Sequence, residues 1–194
     1  MKTNILLATD PNAIPAALEI LRAGELVAFP TDTVYGMGTF AFNAEGATKI
    51  YAAKQRPPEK AIPILLGDMQ QLEEVAINIP QRAYKLAAAF LPGALTLVLP
   101  KHPKIPEAVS ALDTVGVRIP DHEFARALLN AAGPMAVSSA NLSGAGSAST
   151  AEEVYSQLNG SLPLILDGGE TPGGQASTVV DCTSEEIVLL REGP

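Results

Sequence analysis

A chain of 194 residues, 47% hydrophobic and 18% charged, holds enough apolar material for one packed domain and lies far from the composition of a disordered segment. Its net charge of -8, from 13 Lys and Arg against 21 Asp and Glu, argues against a protein that lives by gripping nucleic-acid backbone, and its single cysteine excludes an intramolecular disulfide. No run approaches the ~20 apolar residues of a membrane helix and no long apolar stretch follows the N-terminal lysine, so neither a membrane span nor a signal peptide is expected and the cytoplasm is the expected compartment.

Along the chain, Asp10-Pro11 reads as a helix cap followed by proline at the first helical position. The helix after it places Ile14, Leu18 and Leu21 on one face and stops at Gly24. Leu26 to Phe29 is a short buried strand. Asn43 can cap a helix running to about Lys54. Ile62 to Leu66 reads as a strand, and Asp68 caps a short helix. Gln81 to Phe90 is a helix closed by Pro92-Gly93, and Leu95 to Leu99 and Val115 to Ile119 are strands. Asp121 caps a helix ending at Gly133, which puts His122 on a solvated face of its first turn. Met135 to Ser138 is a strand that opens into a polar loop, and Thr150 with Glu153 makes a capping box for the next helix. Three strands follow: Leu162 to Leu166, Thr178 to Val180 and Ile187 to Leu190. No helix separates the last two, so hairpin pairing and a mixed sheet are expected. Cys182, after an apolar run, reads as a packed strand-end residue. The alternation predicts a single α/β domain over residues 1–194, with helices over a central sheet.

Several segments bear chemistry. Pro30-Thr31-Asp32-Thr33-Val34-Tyr35-Gly36-Met37-Gly38 follows a buried strand directly, so its hydroxyls fall at the carboxyl edge of the sheet, where α/β domains bind ligands; it also reads as a Thr/Gly turn bonded to itself. Lys54-Gln55-Arg56-Pro57-Pro58-Glu59-Lys60 concentrates three cations in an acidic chain. They can serve a helix C-terminus or grip phosphate oxygens. Ser138 to Thr150 joins a strand to a capped helix through hydroxyls and glycines, a set of neutral donors without the Gly-Lys-Ser/Thr ending of a P-loop. Arg118, inside an apolar strand, must find solvent, an anion or an acidic partner. Arg191, near the chain end, can serve an anion or stay solvated. His102 and His122 lack neighbours at ligand spacing, which speaks against zinc and Ser-His-Asp chemistry. A site of cations and hydroxyls suits anionic substrates and catalysis by positioning and charge stabilisation.

In this order, PTDTVYGMG, KQRP, VRIP, SSANLSG, STVVD and LREG resemble the YrdC-type threonylcarbamoyl-AMP synthases over nearly the whole chain. The family's K-x-R and S-x-N signatures fall on Lys54/Arg56 and Ser139/Asn141. The resemblance implies a YrdC-like α/β domain, a twisted mixed sheet with helices around a positively charged cavity. It implies a reaction joining L-threonine, bicarbonate or CO2 and ATP into threonylcarbamoyl-AMP with release of pyrophosphate. A partner complex would then carry the group to tRNA, with weak or no direct tRNA binding by this chain. By the same resemblance Lys54, Arg56, Ser139 and Asn141 would be catalytic. Arg56, Lys60, Thr114, Ser139, Ser147 and Arg191 would bind ATP, and Thr33, Arg118, Val137 and Ser177 would bind threonine. Mg2+ would arrive with ATP. Many longer members carry a His where this chain has Pro63-Ile64-Leu65-Leu66, which bears on one threonine contact at Leu65. Two other readings remain: a non-catalytic RNA-binding member, which salt-titrated binding would reveal, and a carbamoyl-transfer enzyme of the same fold, a class whose chains are usually much longer.

Overall fold

The computed structural model describes residues 2–55, 60–172 and 174–194. In chain order the elements are β1 (Asn4–Leu7), α1 (Ala13–Arg22), β2 (Val27–Phe29), β3 (Gly36–Phe40), α2 (Ala44–Lys54), β4 (Ile64–Leu65), a 3-10 turn (Met69–Gln71), α3 (Leu72–Val75), α4 (Gln81–Phe90), β5 (Leu95–Pro100), β6 (Thr114–Arg118), α5 (Glu123–Ala132), β7 (Met135–Ser139), α6 (Ala151–Leu158), β8 (Leu164–Asp167), β9 (Thr178–Asp181) and β10 (Val188–Arg191). The strands form one ten-stranded sheet in the order β1-β8-β2-β3-β7-β4-β6-β5-β9-β10. Pairing is mixed: β1, β2 and β8 run parallel, β3 pairs antiparallel with β2 and β7, and β9 and β10 form an antiparallel hairpin. Among the described residues no helix is long and apolar enough to cross a membrane.

Both faces of the central strands are covered, and the period-two alternation shows how. Val27 and Phe29, Met135 and Val137, and Leu164 and Leu166 point to one core, where α1 and α5 supply Ala13, Ala17, Leu21, Ala125, Leu128 and Leu129. Ala28, Ala136 and Ile165 point the other way, into a larger core with Ala47 and Ile50 of α2 and Val154 and Leu158 of α6. That second core continues under Leu97, Leu99, Val115 and Val117. The opposite side chains of β5 and β6, which include Thr96, Val98, Gly116 and Arg118, line a cavity. The larger core thus runs under the strands from β8 to β5, whereas the edge strands β1 and β10 are largely exposed.

Several sequence expectations need correction at element ends. Helix α1 begins at Ala13 after Asn12, and the Asp10 carboxylate accepts from the Asn12 N–H at 2.8 Å, one turn ahead of the helix. Helix α5 is capped by His122, whose Nδ1 accepts from the Ala125 N–H, so neither Asp121 as cap nor a solvated His122 holds. Strands β1 and β3 were not expected. β3 is hidden in the sequence by Gly36 and Gly38, yet a Cβ on Gly38 would lie 2.6 Å from the Ala136 carbonyl, so glycine is what lets β3 approach β7. The Asn43 and Thr150 caps and the buried Cys182 match expectation.

Candidate active site

The cavity has a volume of about 320 Å³ and opens beside the smaller core, with which it shares Leu65 and Val137. Its wall takes residues from β3, β7, β4, β6, β5, β9 and β10 and from the segment between β2 and β3. Strand neighbours alone cannot explain this set: Arg118 at the end of β6 bonds Thr33 of the β2–β3 segment, so the sheet curls and brings the two edges of the cavity together.

Arg118 is nearly buried and organises one end. Its Nε donates to the Gly93 carbonyl at 2.9 Å, one terminal nitrogen donates to Thr33 Oγ1 at 2.9 Å, and the other to Asp32 Oδ1 at 2.6 Å. A guanidinium has five N–H donors. Three are therefore spent on fixing its plane, and two remain, one on each terminal nitrogen. Asp32 is the acidic partner that a strand-embedded arginine demands.

The hydroxyls nearby are ordered as strictly. Thr31 Oγ1 donates to the Val34 carbonyl at 2.7 Å and accepts from the Thr33 and Val34 N–H groups. The two hydroxyls also lie 3.0 Å apart, a pair in which either can donate. Thr33 Oγ1 accepts from Arg118. Tyr35 anchors this segment from behind: its hydroxyl donates to the Gly169 carbonyl at 2.8 Å, and burial pushes its pKa up to about 12. It stays protonated and serves as a latch.

At the other end Arg191 donates from Nε and Nη2 to the Ser177 carbonyl at 3.0 and 2.8 Å, and Ser177 Oγ bonds Thr96 Oγ1 at 2.8 Å. Burial, with the Arg118 charge in addition, pulls the Arg191 guanidinium below its ordinary value. Gly193 seats this strand end: a Cβ there would lie 2.4 Å from the Thr178 nitrogen and 2.5 Å from the Ala176 carbonyl.

Lys54 is buried, not a solvated helix-end charge. Its ammonium donates to the carbonyls of Ser139 and Asn141, and to Asn141 Oδ1 at 3.1 Å. Asn141 in turn donates from Nδ2 to the Leu142 and Ala145 carbonyls. The K-x-R and S-x-N segments therefore meet in space, with Ser139 on the cavity wall and Lys54 and Asn141 behind it.

Of the other residues expected at the site, Thr33, Arg118, Val137, Ser139, Ser177 and Arg191 all line the cavity. Lys60 and Ser147 are exposed and Thr114 sits at the far end of β6, all three off its wall. Arg56, like Pro57, Pro58 and Glu59, lies outside the described residues. Sequence reasoning missed Thr96 on the wall and Asp32, which braces Arg118 behind it. Asp32 stood inside a motif read for its hydroxyls and glycines, and Thr96 is a lone hydroxyl within an apolar strand. Leu65, where longer members carry a histidine, lines the wall and presents only hydrocarbon.

Residues 19–193 match the family model of the Sua5/YciO/YrdC proteins, described as "Telomere recombination". The chain belongs to the Sua5/YciO/YrdC family. It is 44% identical over 190 residues to a Bacillus subtilis protein named threonylcarbamoyl-AMP synthase, covering 96% of this chain and 55% of that one. Pyrococcus abyssi Sua5, solved in complex with L-threonine, superposes with a TM-score of 0.90 at 44% identity, over 93% of this chain and 54% of that one. Escherichia coli YciO superposes with a TM-score of 0.88 at 28% identity, over 98% of this chain and 96% of that one. This family member thus spans about half the length of the curated relatives named first, and nearly all of YciO.

Proposed function

We propose that the chain is a threonylcarbamoyl-AMP synthase, an ATP-dependent nucleotidyltransferase acting on L-threonine and bicarbonate. The observation that carries this reading is Arg118: it is fixed by three protein acceptors, two of its N–H groups remain, and it stands beside the Thr33 hydroxyl in a cavity open on the opposite side to Ser177 and Arg191. Two N–H groups on adjacent nitrogens suit a carboxylate. Arg191, whose described bonds are to neutral oxygens and whose charge is opposed by Arg118, gains from an anion between them. The similarity to relatives of that name, one of them solved with threonine, supports the same substrate.

On this reading the threonine carboxylate binds Arg118. The amine takes up CO2 from bicarbonate to give a carbamate. A carbamate oxygen then attacks the α-phosphorus of ATP, forming the new P–O bond as the bond to pyrophosphate breaks. Arg191, with Arg56 and Lys60, would bear the polyphosphate charge, and Ser139 would bond the nucleotide. Lys54 and Asn141 would hold Ser139 in place, and Thr114 and Ser147 would serve the nucleotide only where it extends beyond the cavity. Magnesium is proposed to enter with ATP, because a wall of hydroxyls and guanidinium groups suits phosphate oxygens better than a dedicated divalent-cation cage. The product would pass to a tRNA-modifying transferase complex in the cytoplasm.

The test is pyrophosphate release from ATP. It is expected only when threonine and bicarbonate are both present, and to fall by about a hundredfold or more in Arg191→Ala. Release that ignores threonine or bicarbonate rejects the assignment.

A further inference from the structure

We infer that Tyr35 is a positioning residue: its hydroxyl seats the segment after β8 that bonds the Thr33 carbonyl and brings Ser177 to the cavity wall. The inference rests on the threonine reading above and adds the residue that sets the geometry of that side of the site.

The connection from β8 to β9 has to cross the molecule. The two strands stand second and ninth in the sheet, seven spacings of about 4.8 Å, or roughly 34 Å if the sheet were flat. Eleven residue steps from Asp167 to Thr178 reach about 36–40 Å only when straight, and Gly169 and Gly174 turn the chain with φ of 82° and 58°. The connection is therefore a strap across the curl of the sheet, and its bonds show where it is pinned. It starts flush against the segment that leads to Thr31, since a Cβ on Gly168 would meet Pro30 Cγ at 2.7 Å. The Gly168 N–H donates to the Tyr35 hydroxyl at 3.2 Å, and that hydroxyl donates to the Gly169 carbonyl at 2.8 Å. Farther on, the Thr171 N–H donates to the Ser149 carbonyl and the Gly174 N–H to the Thr33 carbonyl, both at 2.9 Å. Ala176 and Ser177 then reach the wall. The Tyr35 pin differs from the others because its ring is wholly buried in the larger core, so it ties the strap to the best-packed part of the molecule. Phenylalanine would fill the same core volume; the hydroxyl adds the two strap bonds. The main chain of Tyr35 holds a different segment, the loop proposed for the nucleotide: its N–H donates to the Ala148 carbonyl and its carbonyl accepts from the Ala140 N–H. Removing the hydroxyl should thus release the strap and leave the loop bonds in place.

The experiment follows Tyr35→Phe in three ways: threonine KM and kcat from pyrophosphate release, ATP binding by calorimetry without threonine, and amide exchange of the peptide carrying Gly168, Gly169 and Gly174. Threonine KM is expected to rise about tenfold or more, ATP affinity to stay within about twofold, and the peptide to exchange about tenfold or more faster. Tyr84→Phe, whose hydroxyl meets Glu73 on the surface, is expected to match the native chain in all three. If Tyr35→Phe melts below the assay temperature, Gly169→Ala is read the same way, because a Cβ there meets nothing and only strains the turn that offers the carbonyl. Equal weakening of threonine and ATP means a generally loosened fold and overturns the inference, as does a raised threonine KM without faster exchange. A native protein without threonine-dependent pyrophosphate release overturns the threonine reading and this inference with it. Native release with an unchanged threonine KM in Tyr35→Phe sinks the inference alone.

Discussion

Lys54 shows how a charge can serve a site without touching it. Its ammonium lies among the carbonyls of Ser139 and Asn141 and the Asn141 side-chain oxygen, so it ties the end of α2 to the end of β7. Lys54→Met keeps the volume and leaves those acceptors without a donor. A loss of about 1–3 kcal/mol is expected, since unmatched buried polar groups bear their desolvation cost in full. Activity per folded molecule should fall as well, because Ser139 on the cavity wall loses its support. Urea unfolding beside pyrophosphate release checks both; an unchanged midpoint would mean the ammonium is dispensable. The sequence shows such residues unevenly. Arg118 stands out because an arginine within Val117-Arg118-Ile119 has few options. Its partner Asp32 does not, because the two are far apart in sequence and only the curl of the sheet joins them. Lys54 looks like an ordinary cation at a helix C-terminus until the strand that buries it is in place.

At the scale of elements, the cap of α5 couples stability to pH. His122 accepts the Ala125 N–H through Nδ1, which only the unprotonated ring can do. Burial lowers its pKa from the ordinary value, with Asp32, Asp121 and Glu123 pulling the other way. A base whose pKa is lower when folded binds more protons when unfolded, so stability rises with pH through that window. The contribution is complete above the unfolded value of about 6.5 and is lost as pH falls from there toward the folded value. The native melting temperature should therefore drop between about pH 7.5 and about 5.5 by more than that of His122→Asn, which keeps a capping acceptor and does not titrate. Parallel curves would show that His122 does not set the dependence. Elements were legible wherever one residue's chemistry decides them: the Asn43 and Thr150 caps, helix α4, and the β9–β10 hairpin. They were obscured where tertiary contact decides. β3 carries two glycines because β7 presses on it, a reason invisible along the chain. Asp10-Pro11 looked like a helix start, but its carboxylate closes the turn before the helix.

For the whole molecule, the sheet separates stability from binding along its length. The two cores lie under β8, β2, β3, β7, β4, β6 and β5, whereas Val188, Leu189 and Leu190 of β10 are 47%, 58% and 56% exposed and belong to neither. Yet β10 delivers Arg191 to the cavity, and the chain just beyond it seats Gly193 against the backbone at Ser177. Removing residues 188–194 should therefore cost little stability and most of the nucleotide affinity. The shortened chain is expected to melt within about 4 °C of the full one, the change that roughly 1 kcal/mol produces in a domain of this size. Ligand at about 100 times its Kd stabilises a folded protein by about 2.7 kcal/mol, worth roughly 5–10 °C here. The full chain should show a shift of that order with saturating ATP, and the shortened chain should lose it while a shift with threonine survives in part, because Thr33 and Arg118 remain. Thermal unfolding of both chains, with each ligand alone and together, makes the comparison. A full ATP shift after the truncation would place the nucleotide away from β10 and remove Arg191 from the site; collapse of the ligand-free fold would mean that the hairpin edge, exposed as it is, holds the sheet together.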